Sequence, residues 1–231
     1  ELGVPILSRL MALPVIGLLL AVLVCVGFIN AVNMADGANG LMSGIAFVAF
    51  TLFAGIAGAD AWVWGIVSYI VGVFLIFNVV SGRLFLGDCG AYALGSMMVI
   101  GSFSLVNKGV VSTAFLAVLF AYPCLELVIS LIRRTVGGQS AFLPDNDHFH
   151  NRLHYFVTLR VKSPVIANSG TGLLIVLMTS GVAFAGHYFE LLLATDGQWG
   201  FVFLVIACLQ LILYWALGLV DKRVSQYVVG A

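Results

Sequence analysis

Charged residues are scarce in this sequence. Only 9% of its 231 residues are Asp, Glu, Lys or Arg, against roughly 25% in a soluble globular domain, which excludes water as the main solvent of the chain. No CxxC pair occurs: Cys25, Cys124 and Cys208 lie inside apolar stretches and Cys89 stands alone in a short polar loop, so neither a disulfide framework nor a zinc site is indicated. The basic-then-apolar pattern of a signal peptide is absent, as are internal repeats and low-complexity tracts. Net charge is zero, so a general attraction to nucleic acid is not expected, and electrostatic function must come from local clusters.

What is present is apolar: 62% of residues are hydrophobic and the mean hydropathy is +1.14. Stretches of about 20 apolar residues, enough to cross ~30 Å of hydrocarbon as helix, recur along the whole chain. Seven spans are predicted at about 12–29, 41–58, 61–80, 89–106, 110–132, 165–187 and 201–220. The fold class expected is all-α, a polytopic transmembrane helical bundle forming one membrane domain over 1–231, because backbone exposed to lipid must satisfy its own hydrogen bonds. With the C-terminus inside, Arg83, Arg133, Arg134, Arg152, Arg160, Lys162, Lys222 and Arg223 fall on the inner side and only Arg9 and Lys108 outside. That asymmetry makes the inner side cytoplasmic.

Three polar motifs then share the cytoplasmic surface. The first runs from Asn30 to Gly40, where Asn30, Asn33, Asp36 and Asn39 recur every three positions at the end of an apolar helix, close to one face in helical or 3₁₀ geometry. Gly37 and Gly40 let the backbone turn and approach a ligand. Amides at a helix end also cap it, and that alternative stays open for each Asn. The second motif places Asp88 between Gly87 and Gly90 at the start of a span, where it either caps the helix or, with Asp36 on the same face, offers hard oxygen ligands of the kind Mg²⁺ takes. The third lies within the cytoplasmic loop 133–164, where His148, His150, Arg152 and His154 follow Asp145 and Asp147, a set suited to diphosphate oxygens or proton transfer. Glu126, two turns inside the fifth predicted span, must face protein or a watery cavity, as a structural hydrogen-bond partner or in a direct role, whereas His187 is expected at the far interface.

At NAVNMADGANGL, FLGDCGAYALG and PDNDHFHNRL, in that order, the chain resembles the polyprenyl-phosphate N-acetylhexosamine-1-phosphate transferase superfamily, as the C-terminal two-thirds or so of a member. The likeness implies Mg²⁺-dependent transfer, with Mn²⁺ as an alternative ion, of a sugar-1-phosphate from a UDP-sugar to a polyprenyl phosphate in a bacterial inner membrane. By it Asp88 and Asp36 would hold the metal and, with His148, form the catalytic set. Asn33, Asn39, Phe85, His150 and Arg152 would bind substrate, with Phe85 and Asn39 near the base. Membrane lipids and a second copy of the chain are further partner expectations. Asn39 stands where the family often has Asp, which puts base recognition there in question. The family's Asp-Asp motif on an earlier loop has no counterpart, and the chain opens at Glu1, so an N-terminally incomplete protein is expected. His148-Phe149-His150-Asn151 looks nearer the glycan-initiating branch than the lipid I synthase branch. A transporter or channel is the competing reading, accounting for Glu126, Asn78 and the many glycines.

Overall fold

The computed structural model describes residues 13–138 and 147–229, with side chains described as far as Leu219. Arg9, Asp145 and the side chains of Lys222 and Arg223 therefore lie outside the described residues. Among the described residues every regular element is helical: α1 Pro14–Ala35, α2 Leu41–Ile56, a 3₁₀ turn Gly58–Asp60, α3 Ala61–Ser81, α4 Gly87–Asn107, α5 Thr113–Leu119, α6 Ala121–Val136, α7 Phe149–Thr158, α8 Pro164–Met178, α9 Ser180–Tyr188 and α10 Trp199–Val229.

Each of the seven predicted spans corresponds to a helix or a bent helix pair, and four to six of them meet the length and hydropathy of a membrane crossing among the described residues. Pro14–Ala35, Gly58–Ser81, Gly87–Asn107 and Trp199–Leu219 are each long and apolar enough to cross a membrane, and two bent helix pairs raise the number to six if each is one span. The remaining helix, α2, has 16 residues, about 24 Å at 1.5 Å per residue, and although shorter than the others it joins the Gly40 end of the bundle to the Asp60 end. It is the central element: Leu41, Met42, Ile45, Ala46, Ala49, Phe50 and Phe53 are fully buried, and it packs along α3 and α8. Its hydrophobicity comes from burial in protein, and composition cannot separate that from exposure to lipid.

Each bent pair has a chemical cause. The α5–α6 axis turns by 79° at Phe120, where Pro123 supplies no N–H to the Leu119 carbonyl; that carbonyl instead accepts the Ser180 hydroxyl at 2.6 Å. Ser180 stands at the second break, where α8 and α9 meet at 48° and Thr179 leaves helical geometry with φ −122° and ψ −90°. The Thr179 hydroxyl donates to the Ile175 carbonyl at 2.7 Å. A hydroxyl at the second break thus satisfies the carbonyl left open at the first.

The bundle has two chemically different ends. At one, Lys108 pairs with Asp60, the Ser112 amide donates to the Ala194 carbonyl, and His187 meets the Phe115 ring edge-on, the far-end position expected for it. At the other, Asn78 in the last turn of α3 ties two motif loops together. Its Oδ1 accepts from the Gly40 amide at 2.5 Å and the Ser43 hydroxyl at 3.2 Å, and its Nδ2 donates to the Leu84 carbonyl at 2.6 Å. Asn168 adds a bond from the Asn39 amide at 2.6 Å, and the Ser169 hydroxyl donates to the Val79 carbonyl. These amides position the site.

Candidate functional site

Helix α1 ends at Ala35 because the chain leaves helical geometry at Asp36, whose ψ is +61°. The turn that follows continues to Gly40, which takes a left-handed φ of +76° before α2 begins. This turn, the segment 85–88 and the start of α8 enclose a cavity of about 320 Å³ lined by Asn33, Asp36, Asn39, Asn78, Phe85, Asp88 and Asn168, among others. Five of the eight residues singled out from the sequence therefore meet in one place. Asn30 does not join them: its amide turns back to the Val26 carbonyl at 2.8 Å, because α1 is still helical there.

The residues divide by role. Asn39 is buried, and its amide lies 3.4 Å from the Ser169 hydroxyl, so part of its donor capacity maintains the loop. Asn33 donates to the Tyr92 hydroxyl at 3.3 Å; Tyr92 sits one helical turn beyond Asp88 and was not distinguished by sequence. The Phe85 ring is 67% exposed, which leaves a face for a planar group to stack on. Asp88 is exposed in the first turn of α4, and no side chain caps that helix. Capping is therefore not what places Asp88 there.

Asp36 is half-buried, and desolvation raises its carboxyl from an ordinary value of 3.8 to about 6. The folded state then holds this proton more tightly than the unfolded state, so the associated stability is present at low pH and is lost as pH rises through about 6. Without divalent cations, Asp36→Asn is expected to raise the melting temperature at pH 7 by about 2–4 °C. The gain should shrink toward zero near pH ~4. Melting curves of wild type and variant at both pH values test this, and an equal gain at both would refute the assignment.

Asp36 and Asp88 are hard oxygen donors sharing the cavity with neutral amides, which suits Mg²⁺. Among the described residues no group of three or more His, Cys, Asp or Glu is placed to hold a metal. A cation here would complete its coordination from water and phosphate, as Mg²⁺ commonly does.

The third motif divides in two. His148 and His150 are buried and stacked, with ring centroids 5.3 Å apart and planes 11° from parallel. His148 Nδ1 is 2.9 Å from Glu126 Oε1, and both Glu126 oxygens accept from the Phe149 amide, at 3.3 and 3.2 Å. Glu126 is thus a hydrogen-bond partner inside the bundle, and sequence had left that role open beside a direct one. His150 Nδ1 is 2.7 Å from the Tyr122 hydroxyl, while the opposite edge of the ring lies against Gly37, where any Cβ would overlap it. Burial first, then the neighbouring His148 and His154, push the His150 imidazole down to about 3, so it is neutral at physiological pH.

Arg152 lies elsewhere. Its guanidinium grips Asp147 with two bonds of 2.6 and 2.7 Å, donates to the Tyr214 carbonyl at 2.9 Å and sits 3.8 Å over the Tyr214 ring. It lines a separate cavity with Arg133, Tyr214 and Trp215. The bond from Arg152 holds the Asp147 carboxyl below its ordinary value. Proximity in sequence did not reveal this separation, because α7 turns successive residues to different faces.

Residues 1–106 match the model of the family described as Glycosyl transferase family 4, a stretch containing the first two motifs but not the histidines. A phospho-N-acetylmuramoyl-pentapeptide-transferase of Oceanobacillus iheyensis is 34% identical over 145 residues, 58% of this chain and 42% of that protein. One from Levilactobacillus brevis is 31% identical over 131 residues, 54% of this chain and 40% of that protein. A probable undecaprenyl-phosphate N-acetylglucosaminyl 1-phosphate transferase of Bacillus subtilis is 28% identical over 161 residues, 67% of this chain and 45% of that protein. The chain thus spans less than half the length of these relatives. No solved structure matches it significantly. With its motifs on one face of a helical bundle, the chain is thus similar over residues 1–106 to Glycosyl transferase family 4, and over half to two-thirds of its length to transferases of sugar-1-phosphates.

Proposed function

We propose that this chain acts in transferring an N-acetylhexosamine-1-phosphate from a UDP-sugar to a polyprenyl phosphate, giving a polyprenyl-diphosphate sugar and UMP. The observation that carries this reading is that Asp36 and Asp88, from different motifs, share a cavity with exposed Phe85 at a polar end of the bundle. The acceptor's phosphate oxygen attacks the β-phosphorus of the donor, and UMP leaves with the electron pair of the broken P–O bond. Both partners are anions, so positioning and charge neutralisation govern the rate. Asp36 and Asp88 would hold Mg²⁺, which when bound screens the diphosphate's negative charge. Phe85 stacks on the base, Asn33 and Asn39 supply amide contacts, and His148 and His150 face the phosphates. An interfacial site lets the isoprenoid tail stay in lipid while the nucleotide comes from water.

The His-Phe-His pattern favours a glycan-initiating substrate over the pentapeptide substrate named for two of the relatives above. The full-length protein in membranes, given polyprenyl phosphate, Mg²⁺ and a panel of UDP-sugars, is expected to release UMP fastest with an N-acetylhexosamine donor lacking the peptide. No UMP from any donor would defeat the reading, and UMP only from the peptide-bearing donor would move it to the other branch.

The motif end is assigned to the cytoplasm of a bacterial inner membrane. Supporting this are Arg83, Arg133, Arg134, Arg152, Arg160 and Lys162 at that end, against Lys108 at the other. In a cysteine-free background, a cysteine at Gln198 should react with an impermeant thiol reagent in intact cells and one at Thr158 should not. The reverse pattern would place the motifs outside, away from nucleotide sugars.

A further inference from the structure

Glu126 and Tyr122 lie one helical turn apart on α6, both fully buried, and each touches one histidine of the stacked pair. A carboxylate buried this deeply is costly unless its oxygens are satisfied. The structure satisfies them with the Phe149 amide and His148 Nδ1. With both Glu126 oxygens already accepting the Phe149 amide, Oε1 faces His148 Nδ1 as an acceptor, which requires the proton on that nitrogen. Tyr122 poses the opposite constraint. Its hydroxyl hydrogen is buried and needs an acceptor, and the atom the structure sets against it, at 2.7 Å, is His150 Nδ1. An imidazole nitrogen that accepts carries no proton.

We infer that Glu126 and Tyr122 are positioning residues that hold the two histidines in opposite tautomers: neutral His148 is protonated on Nδ1 with a bare Nε2, and His150 is protonated on Nε2, toward Gly37. Two side chains that look interchangeable in the motif therefore differ in chemistry, one offering a lone pair and the other an N–H. The depressed proton affinity of His150 fits, since a neutral ring has a single N–H to place. Parallel stacking at 5.3 Å also favours a pair that is not doubly charged.

The assignment of these nitrogens to accepting a proton and to donating to a phosphate oxygen rests on the transferase reading; the tautomers themselves do not. In lone histidine the Nε2–H form is the more populous, so His148 is the ring that needs an external constraint. Glu126→Gln keeps an accepting oxygen in the same place, whereas Glu126→Leu removes it.

The test is ¹⁵N–¹H correlation spectroscopy on the histidine-labelled full chain in lipid nanodiscs at pH 8.5, with His148→Gln and His150→Gln used for assignment. Wild type should show a protonated Nδ1 and bare Nε2 for His148, and the reverse for His150. Glu126→Gln should retain the His148 pattern; Glu126→Leu should return His148 to mainly Nε2–H while His150 is unchanged. The same tautomer on both rings in wild type, or His148 still protonated on both nitrogens at that pH, overturns the inference even if Glu126→Leu does not fold. The spectra require no turnover. Opposite tautomers without UMP release would therefore sink the transferase reading and leave this one standing.

Discussion

Replacing Asp88 by Asn in the membrane-embedded protein is expected to lower turnover by at least about 10²-fold, with helix content and melting temperature close to wild type. The two halves of that expectation have separate grounds. Asp88 is exposed in the first turn of Gly87–Asn107, and a surface carboxylate near a helix N-terminus contributes about 0.3–1 kcal/mol to stability. Activity is different. Donor and acceptor are both phosphates, and their mutual repulsion must be screened by a cation that this carboxylate would help to hold. Asn matches the size of Asp but removes the charge. Initial rates of UMP release across a range of Mg²⁺ concentrations, alongside circular dichroism, separate the outcomes. A near-normal rate with unchanged Mg²⁺ dependence would leave Asp88 only its favourable place on the helix dipole.

Gly37→Ala is expected to cost about 10²-fold in turnover, on the scale of a 1 Å displacement of reacting groups. A single methyl group is enough because the Cβ would fall on the imidazole of His150. That ring is held from behind by Tyr122 and flanked by His148, so it cannot swing away without breaking a buried hydrogen bond. The turn must move instead, taking Asp36 with it. The exposed backbone at Gly37 could shift without unfolding the bundle, so the loss should appear in kcat more than in melting temperature. Gly27, around which a Cβ would meet nothing within 4 Å, is the control: Gly27→Ala should leave turnover unchanged. Equal rates for both variants would show that the contact between the first and third motifs has no part in catalysis.

The outline of the fold was legible because lipid and protein interiors both demand apolar helices, and the runs that supply them are long. Which helices meet lipid was not, for a reason visible in Leu41–Ile56: a helix buried by its neighbours and one bathed in lipid have the same composition. The motif end was legible through Asp36, Asp88, Phe85 and the amides, whose polarity interrupts apolar spans. Asn78 and Asn168 were harder to place. Each is one amide beside a long span, and their value lies in which backbone groups they reach across the bundle, a property of the fold and not of local spacing. Arg152 illustrates the converse error. It adjoins the histidines in sequence, yet one turn of helix sends it to Asp147 and Tyr214.

The interior bond between Ser180 and the Leu119 carbonyl couples two positions that evolution would otherwise treat as independent. A lineage that exchanges Pro123 for a residue with an N–H restores a local donor to that carbonyl and releases position 180 from its need for a hydroxyl. One that loses Ser180 first strands a carbonyl where no water reaches it. The permitted order of change is therefore proline before serine. Homologous chains are expected to keep both residues or neither, with intermediates that retain Ser180 outnumbering those that retain Pro123.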